Sequence, residues 1–186
     1  MAYVLDQSYT SLNLQTTGGD ALRTTFYNSS GIHTFTKLAQ SFTPSSTQYT
    51  NRVELRLQNI NGTPSGSIWV TIQADVGGAP SGIPLAISQL RLCSTISGAA
   101  YYGFDFINPV QTINGSKYWT VLEANYPIAA APWIAWICDG NGAYANNKFL
   151  SYYTSWEDLT GGSITAIDGL FKEYYGSGQH LILFDI

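Results

Sequence analysis

Charged residues are scarce in this chain. Eight Lys and Arg and 12 Asp and Glu make up only 11% of its 186 residues, against about 25% in a typical globular protein. The Lys and Arg residues are scattered singly, so no basic stripe is available for phosphates and a nucleic-acid partner is not expected. The surface must instead be built from Ser, Thr, Asn, Gln, Gly and Tyr, a composition typical of rigid extracellular and virion β proteins.

Cysteine and histidine are also scarce. Cys93 and Cys138 are far apart and lack the Cys-x-x-Cys spacing of zinc and redox sites. Buried free thiols are favoured over a disulfide, because nothing in the sequence indicates an oxidising compartment. The two histidines, His33 and His180, lie in no nucleophile motif, and Gly-x-Ser-x-Gly is missing. The sequence therefore predicts a protein that is not an enzyme.

Long apolar runs are missing as well. The longest, residues 128–138, is broken by Pro132 and is too short for a membrane span. The start, Met-Ala-Tyr-Val-Leu-Asp-Gln, has neither the basic nor the apolar region of a secretory signal. We therefore expect a chain that is assembled in the cytoplasm or has been trimmed of a signal, with no membrane partner.

Short alternating segments separated by turns dominate what is present. Gly and Pro occur about every ten residues, and no segment keeps a 3.6-residue apolar period for three turns. Residues 53–57 and 68–75 alternate apolar and polar side chains, as strands with one buried face do. Nine or ten strands of this kind predict an all-β fold, an antiparallel two-sheet sandwich with jelly-roll-like connectivity.

The two alternating segments also predict which side chains form the core. Val53, Leu55 and Leu57 are expected to be buried together with Ile68, Val70 and Ile72, whereas Glu54 and Arg56 are expected to face water.

Several motifs of turn and core residues follow one another between residues 39 and 175. They are Ala39-Gln40-Ser41-Phe42-Thr43-Pro44-Ser45-Ser46, Val53-x-Leu55-x-Leu57, Gly62-x-Pro64-Ser65-Gly66, Val70-x-Ile72-x-Ala74-Asp75, Gly78-x-Pro80-Ser81-Gly82, Phe104-x-Phe106, Tyr118-Trp119-x-Val121-Leu122 and Asp168-x-Leu170-Phe171-Lys172-x-Tyr174. In this order they resemble a β-sandwich module that recurs in bacteriophage virion proteins and in bacterial surface or secreted proteins. The resemblance implies a carbohydrate-binding-like or virion structural module and brings no enzymatic residues with it.

The resemblance also divides the chain into parts. Residues 39–175 form the sandwich module, residues 1–38 an N-terminal arm, and residues 176–186 a C-terminal strand that completes the sandwich. The arm mixes Ser, Thr and Gly with scattered apolar residues, a pattern that suits a segment ordered by contact. We expect residues 1–38 to make the main partner contacts.

Two pairs of carboxylates are the best candidates for glycosidase chemistry, which needs two such groups on one face. They are Asp105 with Glu123 and Glu157 with Asp158. Sequence cannot place either pair face to face, and solvated carboxylates explain the same residues.

The segment Asp139-Gly140-Asn141-Gly142 resembles part of a calcium loop, but it lacks the distal bidentate Glu. A side-chain turn that closes a hairpin explains these residues equally. The sequence therefore predicts neither a metal nor a cofactor.

Aromatic residues are the remaining signal, with five Trp and 13 Tyr. Strand alternation places Trp69 on the face away from the core, and Tyr144, Tyr152, Tyr153 and Trp156 cluster around a Gly/Asn-rich loop. Such rings stack on sugars or anchor protein interfaces. Core packing of Trp156 and of Tyr152 or Tyr153 is the alternative.

The main hypothesis is a non-enzymatic bacteriophage virion protein, a capsid decoration, head-fibre or tail-associated subunit. Its expected partners are other virion proteins or its own subunits in a homo-oligomer, with a trimer as one form, and cell-surface glycans are a further candidate. The alternative is a carbohydrate-binding or adhesin module of a secreted bacterial protein, located at the cell surface.

Overall fold

A computed structural model of the chain describes residues 3–10, 20–21, 26–28, 31–33, 36–126, 132–139, 147–152, 154–158 and 168–176. The strands over these residues are β1 (Tyr3–Tyr9), β2 (Asp20–Ala21), β3 (Phe26–Asn28), β4 (Gly31–His33), β5 (Lys37–Phe42), β6 (Gln48–Ile60), β7 (Ser67–Val76), β8 (Ala79–Ile87), β9 (Arg91–Leu92), β10 (Ala100–Thr112), β11 (Tyr118–Ala124), β12 (Trp133–Trp136), β13 (Cys138–Asp139), β14 (Phe149–Tyr152), β15 (Trp156–Asp158), β16 (Asp168–Gly169) and β17 (Phe171–Gly176). A short 3-10 helix spans Cys93–Thr95.

Two antiparallel sheets contain most of these strands. In the first sheet, the long strand β6 pairs with β10 along one side and with β17 and then β12 along the other, and β1 pairs with the far side of β17. The second sheet has the order β15-β14-β5-β11-β7-β8, and β9 also pairs with β7. The predicted two-sheet sandwich is therefore confirmed.

The core lies between the two sheets. Val53, Leu55 and Leu57 of the first sheet and Ile68, Val70 and Ile72 of the second are fully buried in one cluster. This agrees with the predicted register. Glu54 and Arg56 lie on the opposite face of β6 and are half-buried, because their neighbours on that face cover them in part.

The outer face of the second sheet carries a smaller buried cluster of its own, formed by Ala39, Trp119, Val121 and Leu150. The indole N–H of Trp119 donates a hydrogen bond to Oδ1 of Asp75 over 2.7 Å. This bond satisfies the one polar group of a ring that is fully buried.

The sheets are joined along one side. Ser88, next to the end of β8, forms an isolated antiparallel bridge with Phe106 of β10. The neighbouring Gln89 N–H donates to the Asp105 carbonyl over 2.9 Å. Because β8 belongs to the second sheet and β10 to the first, the sandwich is closed on this side.

The Gly- and Pro-containing segment at residues 77–82 is mostly strand. Val76 pairs with Ala79, so the turn consists only of Gly77 and Gly78, whose φ values are 64° and 87°. Two positive φ values are those of a type I′ turn, the two-residue turn that matches the twist of a hairpin.

The N-terminal segment differs from the expected arm outside the sandwich. Tyr3–Tyr9 pairs antiparallel with β17 as an edge strand of the first sheet, and Tyr9 is buried in the core. Lys37 and Leu38 belong to β5, where Leu38 is fully buried. The expected boundary between residues 38 and 39 thus falls inside a core strand. The terminal segment 181–186 lies outside the described residues.

Candidate interaction surface

Trp69 lies on the face of β7 that points away from the core, opposite Glu123 of β11. The same face holds Thr71 and Gln73, both about 1% exposed, and Trp69 itself is half-buried. The ring is therefore placed as alternation predicts, but its surroundings are more enclosed than a solvated strand face.

Of the aromatic cluster, the structure describes Tyr152 and Trp156. They are cross-strand partners in the β14–β15 hairpin, and their ring centroids are 5.2 Å apart with planes inclined by 63°. Trp156 also packs against the cluster around Trp119. The edge-to-face arrangement presents no flat pair of rings. Tyr144 and Tyr153 lie outside the described residues.

The two candidate catalytic pairs are not assembled. Asp105 lies on the outer face of the first sheet, where Nη1 of Arg52 donates to both of its oxygens over 2.9 and 3.0 Å. Glu123 lies on the outer face of the second sheet and pairs with Lys37 over 2.9 Å. Because two packed sheets are about 10 Å apart, these carboxylates face away from each other across the core.

Glu157 and Asp158 are consecutive exposed residues of β15. Consecutive side chains of a strand point to opposite faces, so the pair cannot act on one substrate. Asp158 forms an ion pair with Lys148 over 3.1 Å instead.

The described residues contain no group of three His, Cys, Asp or Glu that could hold a metal ion. Asp139 pairs through its backbone with Asp168, and residues 140–142 of the calcium-like segment lie outside the described part. Cys93 and Cys138 are buried and are not joined in a disulfide, as the sequence predicts. Burial raises the pKa of Cys93 to about 11, so this thiol stays protonated and unreactive at neutral pH.

Charged side chains gather on the outer face of the first sheet. Arg52 pairs with Glu54 over 3.1 Å and with Asp105 over 2.9 Å, and Lys172 lies 3.6 Å from Glu54. Gly103 of β10 leaves the room for Arg52, since a Cβ there would come within 1.8 Å of its Nη2. Sequence reasoning missed this network, because it joins residues of three strands that are remote in the chain.

Two tyrosines complete this charged network. The hydroxyl of Tyr3 donates to Asp105 over 2.8 Å, and that of Tyr174 donates to Glu54 over 3.0 Å. Burial and the bond to Glu54 raise the pKa of Tyr174 to about 12. The charges of Arg52, Glu54, Asp105 and Lys172 are therefore paired with one another, which fits a role in stabilising the sheet.

A second surface, which we call the aliphatic surface, is apolar and uncharged. It consists of six Ile and Leu side chains that are 46% to 72% exposed: Ile83, Leu85, Ile87, Leu90, Leu92 and Ile107. The first five follow one another along β8, its continuation and β9. Ile107 joins them because the Ser88–Phe106 bridge brings it beside Ile87.

Strand register explains why these side chains point outward. Ile72 of β7 faces the core and pairs with Ala86 of β8, so Ala86 is buried and Ile87 turns to the opposite face. From the sequence alone, the alternation of Ile83, Leu85 and Ile87 would suggest that these side chains face the core. A shift of one residue exchanges the faces of a strand, and the register shifts in β8 place the large side chains outside.

A cleft of about 310 Å³ lies at the β9 end of the aliphatic surface, lined in part by Leu90 and Leu92. Arg91 contributes to its wall and is held in place, because its Nη2 donates to the Gly103 carbonyl over 2.7 Å. The guanidinium also lies over the ring of Phe104, 5.6 Å from its centroid. The guanidinium in the wall of the cleft is therefore fixed on two sides.

Within the part of the chain that the structure describes, no helix is long and apolar enough to cross a membrane. In the comparisons with known proteins, no protein-family model, no curated protein and no solved structure matches this chain.

Proposed function

We propose that this chain is a non-enzymatic structural subunit of a bacteriophage virion, a capsid decoration, head-fibre or tail-associated protein that contacts neighbouring virion proteins through its sandwich. The aliphatic surface is the observation that carries this proposal. Its six side chains leave on the order of 500 Å² of apolar area uncovered, at the upper end of what soluble monomers expose.

The chemistry of the aliphatic surface favours a protein as the partner. Sugars are recognised by stacking on aromatic rings and by hydrogen bonds to fixed polar groups, and this surface consists of Ile and Leu. Aliphatic side chains gain free energy when another apolar surface removes them from water.

The resemblance to virion modules supports the proposal at the level of the fold. Phe42, Val53, Phe104 and Phe171 belong to the matching motifs and are all buried in the core. The motifs therefore describe how the sandwich is built. This fits a subunit whose partner-binding residues lie outside the core. The aliphatic surface is such a set of residues.

A carbohydrate-binding or adhesin module is the second candidate, favoured by the half-buried rings of Trp69, Tyr152 and Trp156 on the second sheet. The geometry of these rings supports sugar binding less well than the aliphatic surface supports a contact with a protein. Tyr152 and Trp156 meet edge to face, whereas a sugar ring stacks on a ring face.

Location in the particle tests the proposal. Virions purified on a density gradient from a lysate of the encoding phage should contain the chain, by mass spectrometry and by immunogold labelling of intact particles. A chain found only in the particle-free fraction would refute the virion assignment. Glycan-array binding that is lost in both Trp69→Ala and Trp156→Ala would support the second candidate instead.

A further inference from the structure

We propose that the aliphatic surface is the contact between two copies of this chain, related by a two-fold axis. This inference deepens the proposed function and rests on it, since it names the chain itself as one of the neighbours that the sandwich contacts.

Charge is the first argument for a second copy. The chain carries a formal charge of -4 at pH 7, so two copies repel each other, and a contact between them is least unfavourable where it brings no further like charges together. Residues 76–90, which include all of β8, contain no Asp, Glu, Lys or Arg. This stretch can therefore meet an identical stretch without bringing equal charges together.

The shape of the aliphatic surface is the second argument. Ile83 protrudes at one end, with 72% of its surface exposed, and the cleft beside Leu90 and Leu92 lies at the other end. A two-fold axis places opposite ends of the same surface against each other. The protruding Ile83 of each copy then lies against Leu90 and Leu92 of its partner, which line the apolar part of the cleft.

Area is the third argument. About 500 Å² of apolar surface, with its polar rim, approaches the roughly 800 Å² that each partner buries in a standard stable interface.

The contact must be made by side chains, because Pro80 and Pro84 and the register shifts of β8 interrupt its free edge.

Native mass of the full chain tests this inference. The wild-type protein should have twice the 20.3 kDa mass of one chain, and Ile87→Lys should reduce it to a monomer with unchanged circular dichroism, because Ile87 is 47% exposed. Ile113→Lys is the matched control, since Ile113 is similarly exposed, at 53%, but lies outside the aliphatic surface. This variant should remain dimeric.

A monomeric wild-type chain, or an oligomer that persists in Ile87→Lys, would overturn the inference. These outcomes are separate from those of the proposed function. A monomer that is found in purified virions would refute only the self-contact, whereas a dimer that is missing from virions would refute only the virion assignment.

Discussion

Glu173 is the residue whose surroundings differ most from those of an ordinary surface carboxylate. It lies in β17 opposite Val53, points into the core and is fully buried. The Thr50 hydroxyl donates a hydrogen bond to its Oε1 over 2.7 Å, and the carboxylate of Asp6 in β1 faces it. Burial, assisted by the negative charge of Asp6, raises the pKa of Glu173 to about 7.

This raised pKa predicts how stability changes with pH. Glu173 titrates near 4.5 when unfolded and near 7 when folded, so the folded state binds the extra proton between these values. The contribution of Glu173 to the free energy of unfolding is complete below about pH 4.5. It decreases by about 3 kcal/mol as the pH rises to 7. We therefore compare the free energies of unfolding of the wild type and of Glu173→Gln, measured in urea. The value for the wild type minus that for the variant should decrease as the pH is raised from 5 to 8.

Glu173→Gln is the suitable reference because it keeps the size of the side chain and an acceptor for Thr50. A difference that stays constant from pH 5 to pH 8 would mean that Glu173 does not titrate in this range.

At the scale of single elements, the β7–β8 hairpin depends on its two glycines. Gly77 and Gly78 both have positive φ, and a Cβ added at either position would meet no atom within 4 Å. Any cost of substitution there comes from the backbone alone. The first position of a type I′ turn accepts Asn, and Gly is strongly preferred at the second.

We therefore expect Gly78→Ala to lower the free energy of unfolding by about 1 kcal/mol and Gly77→Asn to leave it nearly unchanged. Urea denaturation of both variants checks this. Equal effects of the two substitutions would contradict the type I′ assignment.

The strands also show how far the sequence predicts this fold. Alternation in residues 53–57 and 68–75 identified core side chains correctly, because each strand has one face in the core. The same pattern does not mark the core in β8, where Ile83, Leu85 and Ile87 alternate with smaller residues and are exposed. Pairing with β7 and the register shifts decide the faces of β8, and neither is visible in the sequence of one strand.

The candidate site was harder to predict than the fold. Attention to aromatic rings singled out Trp69, Tyr152 and Trp156, which the structure shows to be half-buried. The exposed residues Leu90 and Leu92 belong to a short apolar segment of the sequence. Nothing local distinguishes them from core residues, because their exposure depends on where β9 meets β7 and β10.

At the scale of the whole molecule, β1 holds the edge of the first sheet. Removing residues 1–10 would expose the backbone of β17, take the Tyr9 side chain out of the core and uncover Glu173. We expect this truncated chain to unfold at a lower urea concentration than the wild type and to aggregate, since an uncovered strand edge pairs with other chains.

Val4→Lys is the control for the truncation, because Val4 is 37% exposed and the substitution keeps the backbone pairing. It should behave as the wild type in urea and in light scattering. A truncated chain with wild-type stability would show that β1 contributes little to the sandwich.

The pairing of β1 with β17 has a consequence for synthesis on the ribosome. Strand β1 emerges well before its described partner β17, because the chain from Tyr9 to Phe171 must be made in between. At about 5–20 residues per second, this takes roughly 10 to 30 s. During that interval the strand Tyr3–Tyr9 is a nascent segment without its partner, so the first sheet acquires this edge only after β17 has been made.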